Sequence, residues 1–157
     1  MPAEDGLRIS IRFASPADGP RCAEIFLHGR RIACPWQPED RFRLDDYDDC
    51  VDGEEVLVAE VDGGSGGDVR VVGFISVDVP ERFIHNLFID PAWHGQGIGS
   101  ALLKEALALL QGSAELTCAA RNAAARAFYE RNGWTPVPRA GWNEEAEPLV
   151  LYRKSAI

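Results

Sequence analysis

The stretch from Phe83 to Leu110 limits most what this chain can fold into. An apolar segment, Phe83-Ile84-His85-Asn86-Leu87-Phe88-Ile89, meets an Asp90-Pro91 turn. A glycine run follows, His94-Gly95-Gln96-Gly97-Ile98-Gly99, and an amphipathic segment continues from Ser100 to Leu110. This order predicts a strand, a sharp turn and a helix that starts among glycines. Such a helix directs several unpaired backbone N–H groups at one spot, and its dipole adds positive potential there. Glycines let the main chain touch an anion with no Cβ in the way. The segment therefore predicts a pyrophosphate site. Two other readings of the glycines are a plain helix-start turn and a dinucleotide fingerprint, Gly95-x-Gly97-x-x-Ser100. The second is disfavoured because Asp90 to His94 separate strand from glycines and only one parallel crossover is visible.

The remaining elements follow from periodicity. Leu7, Ile9, Ile11 and Phe13 alternate with polar residues, which predicts a strand half-buried on that face. Ser15 before Pro16 reads as a helix start, with a helix to Ala33 whose apolar side carries Ile25, Phe26 and Ile32. Pro35 and Pro38 end it. Residues 38–49 have room for a second short helix with a weak pattern. Glu55–Val61 and Val69–Val79 read as strands joined by the glycine-rich loop 62–68, and Pro80-Glu81 turns the chain into the Phe83 strand. After the glycines, Leu102, Leu103, Ala106, Leu107 and Leu110 form one helical face. Gly112 ends that helix. Ala114–Cys118 is a strand that pairs in parallel with the Phe83 strand across the helix, a right-handed crossover. Asn122 starts a further helix that Asn132-Gly133 closes, and Trp134–Val137 with Pro148–Tyr152 form a final hairpin.

The chain has 157 residues, the size of one domain, and residues 1–157 are read as a single one. The start has neither the basic nor the apolar region of a secretion signal, and no apolar run approaches the roughly 20 residues of a membrane span. The chain therefore reads as soluble and cytoplasmic. Cys22, Cys34, Cys50 and Cys118 form no CxxC pair; they are expected to be reduced and packed as small apolar residues, with no metal. Between Glu39 and Asp62, eleven acidic residues face two arginines, a balance of −9 equal to that of the whole chain. That surface disfavours nucleic acid. A solvated acidic face is the bland reading of this run; a rim that attracts a cationic substrate is the sharper one.

Two motifs in this order, after an antiparallel meander, resemble the GCN5-related N-acetyltransferase (GNAT) superfamily over almost the whole chain. The first is Leu87-Phe88-Ile89-Asp90-Pro91 with His94-Gly95-Gln96-Gly97-Ile98-Gly99. It is similar to the family's strand and pyrophosphate loop, with His94 where the family prefers Arg or Gln. The second is Asn122-x-x-Ala125-x-x-Phe128-Tyr129-x-x-x-Gly133-Trp134. The resemblance implies an α+β fold of three αβα layers. Its mixed, mostly antiparallel sheet has about seven strands and a splayed parallel pair, with about four flanking helices.

The resemblance also implies acetyl-CoA as co-substrate and transfer of its acetyl group to a primary amine by direct attack in a ternary complex. Leu87 and Ile89 would offer backbone groups to the pantetheine arm, with Phe88 between them. Gly95, Gln96, Gly97, Ile98, Gly99 and Ser100 would wrap the pyrophosphate. Asn122 would bind the cofactor beside the second splayed strand, and Tyr129 would protonate the departing thiolate. The chemistry needs an oxyanion donor, an acid for sulfur and an unprotonated amine; a strand N–H and a tyrosine hydroxyl suit the first two.

For the amine's proton, His85 stands two residues before Leu87 on the same strand face, and imidazole titrates near neutrality; Glu24 on the first helix is the other candidate. Acetyltransferases of ribosomal-protein N-termini carry a glutamate base on the strand before the Asn helix. The matching Leu116-Thr117-Cys118-Ala119-Ala120-Arg121 has no carboxylate. The acceptor is expected to be a small cationic amine. A protein lysine or N-terminus is the alternative enzyme reading, and a non-catalytic acyl-CoA-binding module the alternative of another class. No membrane partner is expected, and a homodimer through an exposed hairpin edge is compatible with each reading. Trp36, Trp93 and Trp142 are candidates to line the acceptor pocket.

Overall fold

A computed structural model of the chain describes residues 8–62, 69–137, 143–144 and 147–155. The elements are β1 (Arg8–Phe13), α1 (Gly19–Ala33), α2 (Asp46–Cys50), β2 (Glu55–Asp62), β3 (Val69–Asp78) and β4 (Phe83–Ile89). They continue with α3 (Ile98–Leu109), β5 (Ser113–Ala119), α4 (Ala123–Arg131), β6 (Thr135–Val137), β7 (Asn143–Glu144) and β8 (Glu147–Ser155). The sheet runs β1-β2-β3-β4-β5-β8-β6, with the two-residue β7 paired to β8 off this path. All pairs are antiparallel except β4 with β5. This is the mixed, mostly antiparallel sheet that the resemblance implies. The final hairpin is present, with β8 inserted between β5 and β6.

Strand β3 is the centre of the molecule, with Val71 to Val77 buried on both faces. One residue is added in β3 where its register with β2 shifts near Ala59, so the strand alternates on either side of that bulge. Val71 and Phe74 pack with Ile25, Phe26 and Cys22 of α1 and Tyr47 of α2. Val72, Ile75 and Val77 pack on the other face with Ile98, Leu102, Leu103 and Ala106 of α3, and Phe128 and Tyr129 of α4 rest against that cluster. Helices therefore cover both faces, in three layers.

Two expectations change. Ile9 and Phe13 are exposed, at 37% and 53%, because β1 is an edge strand and α3 reaches only part of it; Ile11 is the residue that packs. Leu7 lies outside the described residues. Ile32 is 57% exposed because α1 leaves the sheet in its last turn. The short helix occupies Asp46–Cys50, at the end of the expected 38–49 stretch and one residue beyond it, after a single 3-10 turn at Glu39–Arg41. Ser15 does start a helical segment: it forms a capping box with Asp18 over the 3-10 turn Pro16–Asp18, from which α1 continues.

Asp18 also ties this start to the sheet. Arg12 of β1 donates to both its oxygens, at 2.8 and 3.0 Å, and to Glu60 of β2 at 2.8 Å. The Arg12 guanidinium foremost, against the opposing effect of burial, lowers the Asp18 carboxyl from 3.8 to about 2. A carboxyl lowered on folding stabilises the fold above its ordinary range, and the benefit disappears as pH falls through the folded value. The shift corresponds to about 2 kcal/mol. We expect acid titration followed by circular dichroism to show stability falling between about pH 4 and pH 2. Asp18→Asn should be less stable at pH 7 and flatter over that interval.

Strands β4 and β5 position the site. They pair only at Phe83 with Glu115 and Ile84 with Leu116. Beyond those residues β4 stays with β3 as far as Ile89, while β5 stays with β8 as far as Ala119. The parallel strands therefore splay, and a gap opens between their C-terminal halves.

Candidate active site

The gap widens into a cleft of about 710 Å³. Its walls are β4, the glycine turn with the start of α3, the end of β5, α4 and the last turn of α1. Of the twelve residues singled out from sequence, eleven line it: His85, Leu87, Phe88, Ile89, Gly95, Gly97, Ile98, Gly99, Ser100, Asn122 and Tyr129. Gln96 is exposed and is not part of the wall.

Backbone direction alternates along a strand. The Asp90 N–H donates to the Val72 carbonyl at 2.7 Å, so Asp90 and Phe88 direct their main-chain groups at β3. Leu87 and Ile89 direct theirs away from it, into the gap. The Ile89 carbonyl is 3.0 Å from Nε2 of His94, so His94 braces the turn from within. The Phe88 ring turns to the α1 layer, against Phe26 and Phe74. A Cβ on Gly29 would collide with that ring, so α1 approaches β4 more closely than any other residue would permit. Asp90 caps the following turn by accepting from the Ala92 N–H at 2.9 Å and is salt-bridged to Arg21 of α1 at 2.5 Å. Burial opposes ionisation of Asp90, but the Ala92 N–H and the Arg21 guanidinium outweigh it and hold the carboxyl below its ordinary value.

Gly95 and Gly97 have φ of +78° and +82°, and Gly97 is the N-cap of α3. The first bond of that helix runs from the Ala101 N–H to the Gly97 carbonyl, 3.1 Å. The N–H groups of Ile98, Gly99 and Ser100 precede it and have no intrahelical acceptor, and among the described residues no side chain caps them. They form a donor fan at the helix's positive end. Phe128 lies 3.0 Å from where a Cβ on Gly99 would stand, so α4 closes on this turn.

From α4, Asn122 caps its own helix by accepting from the Ala125 N–H at 3.1 Å. Its side-chain amide nitrogen takes no part in that cap. Tyr129 is half-buried between the rings of Phe128, Trp134 and Tyr152. Burial, with a smaller contribution from Cys118, pushes its phenol above the ordinary value. It therefore stays a neutral O–H donor at any working pH. Beneath it, Tyr152 donates to Glu130 at 2.7 Å and accepts from Arg126 at 3.2 Å, which ties α4 to β8.

His85 is bonded through Nδ1 to Glu54, in the turn that precedes β2. Glu24 is not brought to the cleft: it is exposed and pairs with Arg21 on its own helix. Sequence reasoning missed Cys34, Thr117, Ala119 and Gly29 as wall residues, and took Cys118 for plain core; it lines the cleft, its thiol pushed up to about 11 by burial. Those residues carry no motif, because they reach the cleft only through the splay and the end of α1. Trp93 lines the cleft. Trp36 stacks under the Arg121 guanidinium at 4.2 Å, and Trp142 lies outside the described residues.

A family model described as "Acetyltransferase (GNAT) domain" matches residues 52–136. The mycothiol acetyltransferase of Beutenbergia cavernae is 37% identical over 78 residues, covering 45% of this chain and 26% of that protein. The chain thus spans about a quarter of the length of the curated relative it matches. Among solved structures, YjaB of Escherichia coli aligns with a TM-score of 0.72 at 20% identity, over 96% of this chain and 98% of its own. The yncA protein of Salmonella typhimurium, solved with its cofactor acetyl-CoA, aligns with a TM-score of 0.62 at 23% identity, over 96% and 95%. These last two establish the fold alone. The family match covers more than half of the chain and includes β4, the glycine turn and α4, so this chain belongs to the GNAT acetyltransferase domain family.

Proposed function

We propose that the protein is an acetyl-CoA-dependent N-acetyltransferase that acts on a primary amine in a ternary complex, the acceptor being a small cationic amine. The observation behind this reading is the convergence, in one cleft, of an N-terminal helix fan, two strand residues whose main-chain groups face the gap and a half-buried phenol. The donor set fits the cofactor: the fan suits a pyrophosphate, and strand-like Leu87 and Ile89 suit the amides of a pantetheine arm. Acetyl-CoA supplies an acetyl group activated as a thioester.

The chain's own residues do the rest. A Leu87 or Ile89 N–H donates to the carbonyl oxygen as charge builds on it. Tyr129 donates its phenolic proton towards sulfur as the thiolate leaves. His85 accepts the proton of the attacking amine. The cationic acceptor is supported by exposed Asp49, Asp52 and Glu55, which border the turn holding Glu54 beside His85; such a rim raises the local concentration of a cation. Four cysteines outside any disulfide among the described residues suit a reducing cytoplasm.

Thermal denaturation with acetyl-CoA and, separately, with NAD tests the reading. Ligand at about 100 times its Kd stabilises the fold by about 2.7 kcal/mol, several degrees in Tm for this size. We expect a shift with acetyl-CoA only, and a panel of diamines and polyamines to release free thiol. Absence of a shift with millimolar acetyl-CoA would refute the reading.

A further inference from the structure

Glu54 is a carboxylate that the proposed chemistry does not use, and it is held in an unusual way. It sits in the turn joining α2 to β2, where its N–H donates to the Val51 carbonyl at 2.9 Å. Its side chain is only 8% exposed. One oxygen, Oε2, is bonded to Nδ1 of His85, and the other, Oε1, is buried with no partner among the described residues. A carboxylate taken out of water is stable only when paired, and the pair here is the imidazole on the cleft wall. The location is secured independently. Asn86, next to His85, donates to Ser76 at 2.8 Å and to Cys50 Sγ at 3.2 Å, which holds the end of α2 against β4. The Phe83 ring packs against the imidazole, centroid to centroid 4.8 Å and tilted by 58°.

We propose that Glu54 is a positioning residue that sets the tautomer of His85. The proposal rests on the acetyl-transfer reading, with His85 as the proton acceptor. An ionised carboxylate only accepts hydrogen bonds, so Nδ1 must be the protonated nitrogen. The lone pair is then on Nε2, the edge away from Glu54, and a lone pair is what a base presents to an amine. In proton transfer, the amine N–H bond breaks and an Nε2–H bond forms as the nitrogen pair attacks carbon. The imidazolium so formed donates from Nδ1 to Glu54, which offsets the new positive charge. Without Glu54 the ring is free to carry its proton on Nε2, and that tautomer cannot act as the base.

The test joins a spectroscopic and a kinetic readout. Long-range ¹H–¹⁵N spectra of the imidazoles, assigned by His85→Gln, read the tautomer without any substrate. We expect the Nδ1–H form of His85 in the native protein and loss of that form in Glu54→Gln. Turnover should fall roughly tenfold to a hundredfold in Glu54→Gln, with acetyl-CoA affinity unchanged. Glu54→Asp, which keeps the carboxylate, should recover part of the rate. Added to His85→Gln, the Glu54→Gln change should have no further effect on turnover. An Nε2–H tautomer in the native protein would overturn the proposal without any variant having to fold. Independent, multiplying effects of the two substitutions would overturn it as well. Full turnover in His85→Gln would instead overturn the acetyl-transfer role of His85, and with it the catalytic part of the proposal, even with the Nδ1–H tautomer present.

Discussion

Tyr129→Phe will lower turnover about a hundredfold or more and leave the Kd for acetyl-CoA unchanged within about twofold, since a placed general acid contributes 10²–10⁴-fold. The substitution removes one oxygen from a ring that keeps its contacts with Phe128, Trp134 and Tyr152, so the cleft keeps its shape. The lost oxygen is the proposed proton donor, and burial pushes its phenol further above the ordinary value. A thiolate leaving without that donor must depart unneutralised in a half-buried site. The loss therefore falls on the chemical step and not on binding. Isothermal titration with acetyl-CoA and steady-state thiol release measure the two quantities separately. Equal turnover in the variant would remove Tyr129 from the mechanism and favour a cleft that binds acyl-CoA without acting on it.

Gly97→Ala will weaken acetyl-CoA binding about tenfold. At φ +82° the residue is left-handed, which costs an L-amino acid roughly 1–2 kcal/mol. Nothing lies within 4 Å of the added Cβ, so the turn is at liberty to relax when no ligand holds it. Relaxation rotates the peptide between Gly97 and Ile98 and turns the first N–H of the fan away from its target. Binding must then restore the strained conformation, and about 1.4 kcal/mol of that cost corresponds to tenfold in Kd. Titration of the variant checks the value. Unchanged affinity would place the pyrophosphate away from the start of α3.

Much of this was legible in the chain because it is local chemistry. The glycine turn, the Asn122 cap and the apolar face of α3 are set by residues within a few positions of one another, and they fold as their spacing indicates. The hairpin of β2 and β3 and the single parallel crossover are equally local, since each joins neighbours in sequence. Errors fell where burial depends on what lies across the fold. Alternation in β1 marks Ile9 and Phe13 as an inner face, but an edge strand is inside only as far as a helix covers it. Ile32 follows the helical pattern of α1 and is exposed because the helix outruns the sheet.

The candidate site divides along the same line. Leu87 and Tyr129 are on strand and helix positions that the sequence by itself determined, since strand parity and helical spacing place them one residue at a time, whereas His85 is the residue that the register shift between β3 and β4 leaves unpaired, so parity with Leu87 does not place it. The tertiary structure alone decided the width of the splay, because β8 holds β5 away from β4 through strand partners at least 30 residues distant in sequence, while β4 stays with β3 as far as Ile89. It alone decided that Glu54, 31 residues from His85, is the carboxylate against that imidazole and that Glu24 is not. Periodicity carries no information about pairs so far apart: a buried charge selects its partner by proximity after packing, and packing belongs to the whole chain.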